Sequence, residues 1–236
     1  ANIYINKSYW PTSPIYLKLT SPNASYEGIG IRDLILDVKY NSNIINVEKF
    51  SGNIIEGNIR LTGQLDLDDT QYFNFQGKFN NISFNSLLKQ AEVAAWERVN
   101  LKLSSPDFTL SGQGKSGKVF LDSLTGNIPI TGSFYLTSSE EERFGAALLS
   151  LLVEKIPNLS SVSKSINFLL TKYANIPSSL KGTLIVKNGL IQSNEILIFN
   201  NEANASVTGF YNFLNDTIDG KIYFYDQNEI FLDASL

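Results

Sequence analysis

The sequence predicts a mainly β fold: a curved antiparallel sheet of repeated hairpins with an inserted helical hairpin, a β-rich α+β arrangement. Three observations carry this. Apolar and polar residues alternate over long stretches, the alternation recurs in hairpin-like units, and one segment switches to helical spacing.

The clearest strand is 58–68. Ile59, Leu61, Gly63, Leu65 and Leu67 fall on one side and Arg60, Thr62, Gln64, Asp66 and Asp68 on the other. A period of two with one apolar side marks a half-buried antiparallel strand. Asp68-Asp69-Thr70 reads as a turn. Phe73, Phe75, Gly77 and Phe79 then alternate, so 58–79 reads as a hairpin.

The pattern returns near the C-terminus. Ala205, Val207, Gly209, Tyr211 and Phe213 alternate, Asn215-Asp216-Thr217 reads as a turn, and Ile222 and Phe224 continue the alternation. The two hairpins align: Thr62-Gly63 with Thr208-Gly209, Asp69-Thr70 with Asp216-Thr217, Gly77-Lys78 with Gly220-Lys221. Thr131-Gly132 forms a third copy of the centre. Three such steps predict a degenerate hairpin repeat, in which glycine marks a bulge or bend that curves the sheet.

Between these regions the period changes. Ser138…Glu141 reads as a capping box. Phe144, Leu148, Leu151 and Leu152 follow at helical spacing, and Pro157 is expected to stop that helix. Val162, Ile166, Leu169, Leu170 and Tyr173 form a second stripe that ends before Pro177. The expectation is a helical hairpin, roughly 139–155 and 160–175, packed on the sheet. The chain then divides into a β-rich region over 1–137 with a short helix near 85–96, the helical hairpin over 138–178, and C-terminal β hairpins over 179–236.

Composition narrows the chemistry. The 236 residues include no His, no Cys and no Met, and carry a net charge of -4. Without His and Cys, Ser-His-Asp and Cys-His sites and thiolate metal sites cannot be built. No Lys/Arg block offers a basic stripe for nucleic acid. The expectation is a non-enzyme with no catalytic residue, cofactor or metal. No 18-residue apolar run suits a membrane-spanning helix, and Ala1 does not open a signal peptide, although either could precede it in a longer chain.

Individual motifs reduce to structural roles. Gly112-Gln113-Gly114-Lys115-Ser116-Gly117-Lys118 matches G-x-G-x-x-G and nearly a Walker loop. Both motifs need a helix to follow, whereas 119–124 reads as strand, so the run reads as a hairpin turn. Counting from Asp66, the calcium-loop positions that require Gly and Glu hold Gln71 and Gly77. Glu140 to Glu142 suit the first turn of a helix. The six N-x-S/T sequons, at Asn6, Asn23, Asn81, Asn158, Asn204 and Asn215, read as products of an Asn- and Ser-rich composition.

Two stretches resemble the AsmA-like family of Gram-negative envelope proteins. One is 32–88, with Arg32-Asp33-Leu34, Ile44-Ile45-Asn46-Val47, Ser51-Gly52-Asn53, Leu61-Thr62-Gly63-Gln64-Leu65-Asp66-Leu67 and Phe84-Asn85-Ser86-Leu87-Leu88. The other is 180–225, with Leu180-Lys181-Gly182-Thr183-Leu184-Ile185-Val186-Lys187-Asn188-Gly189, Thr208-Gly209-Phe210-Tyr211-Asn212-Phe213 and Ile218-Asp219-Gly220-Lys221. The resemblance implies a periplasmic body anchored to the inner membrane by a helix upstream of Ala1. It also implies a long curved sheet with an apolar groove, and a part in phospholipid transport or outer-membrane assembly. The implied partners are a phospholipid or other acyl-chain lipid and envelope proteins, with no nucleic acid. The groove candidates are Ile59, Leu61, Leu65, Leu67, Val207, Tyr211 and Phe213. The alternative expectation is a structural or adhesive surface domain that binds protein partners by β-strand addition.

Overall fold

The computed structural model describes residues 14–26, 29–86, 99–115, 117–142, 157–215, 217–226 and 229–235. They form a single open sheet of twelve antiparallel strands, each hydrogen-bonded to its neighbours in sequence. The strands are β1 (Ile15–Tyr26), β2 (Ile29–Asn41), β3 (Ile44–Ile54), β4 (Gly57–Asp66), β5 (Phe73–Ser83), β6 (Val99–Gly112), β7 (Thr125–Leu136), β8 (Ser178–Lys187), β9 (Leu190–Phe199), β10 (Asn204–Asn212), β11 (Thr217–Asp226) and β12 (Glu229–Ser235). The helices described from end to end are α1 (Gly117–Ser123) and α2 (Pro157–Lys172), which interrupt the meander. The mainly β fold and the antiparallel sheet stand as the alternation predicted. Strands from the first and last regions share the sheet, since β7 pairs directly with β8.

Short turns explain the strict neighbour order. Asn188-Gly189, with φ of 53° and 75°, makes a two-residue turn between β8 and β9, and Ser42-Asn43, at 48° and 69°, does so between β2 and β3. Asn and Gly tolerate positive φ, and such turns match the twist of the strands they join. Ile55-Glu56 makes the same turn between β3 and β4 with φ of 47° and 64°. A β-branched residue there is held against its own backbone preference.

Register fixes which side chains share a face, because directly paired residues project the same way. One row crosses ten strands: Leu17, Val38, Val47, Gly63, Phe75, Leu110, Gly126, Val186, Ile191 and Tyr211. Every position is apolar, aromatic or glycine. The row one residue away holds Lys39, Asn46, Gln64, Asn74, Ser111, Thr125 and Lys187 across β2 to β8. The sheet therefore has one greasy face, and from β2 to β8 this second row gives it a polar one. Register shifts occur at several strand pairs, including Val47/Phe50, Ser104/Thr109 and Val207/Gly209, and each bends the sheet locally.

Two cores cover parts of the greasy face. Phe73, Leu124 and Val186 form one, with Leu65, Phe75, Leu110 and Leu121 against it, and Phe120 stacks on Phe73 at 5.3 Å. Tyr173, Ala203, Ala205 and Phe224 form the other, covered by Phe168 and Leu169 of α2. The Phe168 and Phe224 rings lie 5.0 Å apart.

Several local expectations change. The segment 117–123 is helical rather than strand-like, because packing Phe120 and Leu121 onto Phe73 outweighs its β propensity. The capping box is Ser139–Glu142, one residue beyond Ser138–Glu141: the Glu142 amide donates to Ser139 Oγ at 3.1 Å and the Ser139 amide to Glu142 Oε2 at 3.0 Å. Ser138 is instead buried, its amide donating to Asn175 Oδ1. Pro157 opens α2 rather than stopping a helix, since proline's missing N–H costs nothing at a first helical position. Residues 140–142 and 84–86 are helical. The rest of the first predicted arm to 155, the rest of the 85–96 helix, Asp216 of the second turn and the Asn6 sequon lie outside the described residues.

The two hairpins do not superpose in register. Gly63 faces Phe75 and Gly77 faces Leu61, whereas Gly209 faces Gly220. A fourth Thr-Gly step, Thr125-Gly126, opens β7.

Candidate functional site

The feature to consider is the greasy face between and beside its two cores. Of the groove candidates, Ile59, Leu61 and Leu65 alternate on β4 as predicted, and all three are half-buried. Leu65 packs against the Phe73 core. Leu67 lies just past the end of β4, where its amide donates to the Asn43 carbonyl at 2.8 Å. Val207 and Tyr211 are half-buried on β10. Phe213 sits in the β10–β11 turn, its ring edge-on to Tyr211 at 5.2 Å and its amide donating to the Gly189 carbonyl at 2.9 Å. The structure thus brings Val207 and Tyr211 into one patch, places Ile59 and Leu61 on the same face several strands away, and assigns Leu65 to a core.

Val207 and Tyr211 line a cleft of about 210 Å³ with Leu184, Ile191, Ile196 and Gly209. Glycine opens this cleft. A Cβ on Gly209 would meet the Gly220 Cα at 2.8 Å, so β10 and β11 approach here without side chains between them. The sequence reading missed Leu184, Ile191 and Ile196. Their alternation is masked because apolar residues also occupy polar-face positions: Ile185 pairs with Gln192, and Leu197 with Lys181. The run 184–186 therefore reads as uniformly apolar.

A larger depression, about 470 Å³, spans β3 to β6. Two polar-face rows, Ser51–Arg60–Lys78 and Thr62–Gln76–Thr109, contribute to its lining. Phe50, Leu61 and Phe108 border it. Among the described residues no carboxylate pairs with Arg60 or Lys78. Among the described residues the ion pairs are Lys102–Glu56, Lys115–Asp69 and Lys172–Glu202, all at least partly solvent-exposed and so worth little to stability.

The other motifs settle into structural roles. Lys115 of the glycine-rich run reaches Asp69 in the β4–β5 turn at 3.1 Å. Ser123 Oγ closes the loop, donating toward the Gln113 carbonyl at 2.6 Å and accepting the Gln113 amide at 2.7 Å. α1 is a single short helix of seven residues, which leaves little dipole to direct at an anion. Asp66 accepts the Asp68 amide, and Asp68 accepts Asn43 Nδ2, which uses these carboxylates to shape the turn. Among the described residues no group of three acidic side chains is placed to hold a metal ion. No described helix is long and apolar enough to cross a membrane.

One titratable group is strongly perturbed. Burial pushes the Tyr173 hydroxyl well above the usual tyrosine range. The hydroxyl donates to the Ile198 carbonyl at 3.2 Å, so the neutral form is the one the core holds.

No protein-family model, curated protein or solved structure matches the chain.

Proposed function

We propose that this chain is a non-enzymatic, AsmA-like periplasmic domain that contributes an apolar β surface to phospholipid transport or outer-membrane assembly. The observation that supports this reading best is the unbroken apolar row across ten strands, in which only Val186 is fully buried. Acyl chains need no polar partner. Each buried methylene contributes about 0.8 kcal/mol, so a strip of half-buried Val, Ile, Phe and Leu can hold a chain lying along it. The size of the greasy-face cleft favours a strip over a pocket. At about 210 Å³ it falls below the roughly 300–1,000 Å³ typical of enclosed small-molecule sites, so a ligand would extend past it along the sheet.

The reading predicts weak headgroup selectivity, because among the described residues the greasy face presents no cluster of charges. The test is native mass spectrometry of the purified chain, followed by extraction of what co-purifies. Bound phospholipid or fatty acid, reduced by Val207→Asp, supports the reading. A lipid-free chain that takes up no added phospholipid removes it.

A further inference from the structure

We propose that β1 is a docking edge for a second copy of this chain, which pairs through its own β1 about a twofold axis at Leu17. The first observation is exposure. Ile15, Tyr16, Leu17 and Leu19 are 40%, 67%, 52% and 45% exposed. Ile15, Leu17 and Leu19 lie together on the greasy face at the edge, and such an exposed apolar patch is a surface that monomeric proteins avoid.

The second observation is the edge itself. Among the described residues β1 pairs only with β2, and it does so from Ile15 to Tyr26 without a register shift. The edge therefore has no bulge to twist it away, and inside 15–21 its only charge is Lys18. A long, regular, apolar edge is a template for another strand. The opposite edge differs, since α2 packs against β12.

The third observation selects the occupant. Pro14 and Pro22 bracket the pairing window, because proline cannot donate to a ladder. Within it, an antiparallel pairing centred on Leu17 sets Leu17 opposite Leu17 of the copy, Ile15 opposite Leu19, and Tyr16 opposite Lys18. Apolar meets apolar on the greasy face, and an aromatic ring meets a cation on the polar face. Centring on Lys18 would set two lysines directly opposite, which is destabilising. A shift by a single residue would place greasy side chains against polar ones. Of these registers, the strand is complementary to itself in the one centred on Leu17. Ile15, Leu17 and Leu19 each end an apolar row, so the pairing continues the greasy face into the second copy.

The native chain contains no Cys, which makes the test specific. In the proposed register the two position-17 Cα atoms lie about 4.5–5.5 Å apart, inside disulfide range. Positions 18 lie diagonally, about 7–8 Å apart and outside it. Mild oxidation of Leu17→Cys should convert most of the chain to a covalent dimer, while Lys18→Cys stays largely monomeric. The unmodified chain should show a concentration-dependent dimer by light scattering. Leu17→Lys should remove that dimer with its circular dichroism unchanged, since Leu17 supports no core. A chain that is monomeric at every concentration overturns the proposal, as does Lys18→Cys crosslinking as readily as Leu17→Cys. These readouts contain no lipid, so they fail or succeed independently of the proposed function.

Discussion

Tyr173 shows how much a single side chain carries. It sits one residue past α2, almost fully buried, with its ring 6.5 Å from both Phe134 and Phe224. Because burial raises its pKa in the folded chain, the unfolded chain loses the phenolic proton first as pH rises. The stability this group contributes is whole below about pH 10, the unfolded tyrosine value, and drains away above it. Tyr173→Phe should cost about 0.5–1.5 kcal/mol at neutral pH through the lost bond to Ile198, and should flatten the alkaline decline. Urea melts of both forms between pH 8 and pH 11 read both effects. Gly63 makes the opposite case, for absence. A Cβ there would run into the Phe75 ring and the Asn74 carbonyl, so Gly63→Val should destabilise by about 1–3 kcal/mol in thermal melts. The alternation made Gly63 visible as a strand position. Its reason, the ring opposite it, depends on the register with β5 and so on the length of the turn.

At the scale of elements, the excursion between β7 and β8 is held at its neck. Asn175 Nδ2 donates to the Ser138 carbonyl at 2.6 Å, the Ser138 amide donates back to Asn175 Oδ1 at 3.2 Å, and the Asn175 amide donates to the Leu136 carbonyl at 2.7 Å. Asn175 does this at φ 61°, a conformation that asparagine tolerates better than most residues. Asn175→Ala loses both side-chain bonds and adds backbone strain. It should cost about 2–3 kcal/mol, and Asn175→Gly, which keeps the backbone relaxed, should cost less; chemical denaturation distinguishes them. The strands of both hairpins and the second helix were legible because period 2 and period 3.6 each ran for several residues without conflict. α1 was not, since Val119-Phe120-Leu121 carries no helical period and owes its shape to Phe73. The capping box was legible in kind but not in place, because Ser138 and Ser139 each have a glutamate three residues on. The Ile55-Glu56 turn carried no signal at all, being set by the register of the strands on either side.

For the molecule as a whole, the decisive property is that side-chain alternation stays in phase across strand after strand. Local patterning reveals that each strand has a greasy side. It does not reveal which residues of different strands line up, or that Leu184, Ile191 and Ile196 meet Val207 and Tyr211 in one cleft. Those facts rest on turn lengths and bulges. The two cores cover part of the greasy face, and the proposed role depends on the remainder staying open to an acyl chain. The most direct measurement is photo-crosslinking with a phospholipid that carries a diazirine in its acyl chain, followed by peptide mapping. The account predicts labels on the greasy face, at Leu61 on β4 and at Ile196, Val207 and Tyr211 on β9 and β10. Labels confined to polar-face positions such as Arg60 and Lys181, or no label above a water-soluble diazirine control, would contradict it.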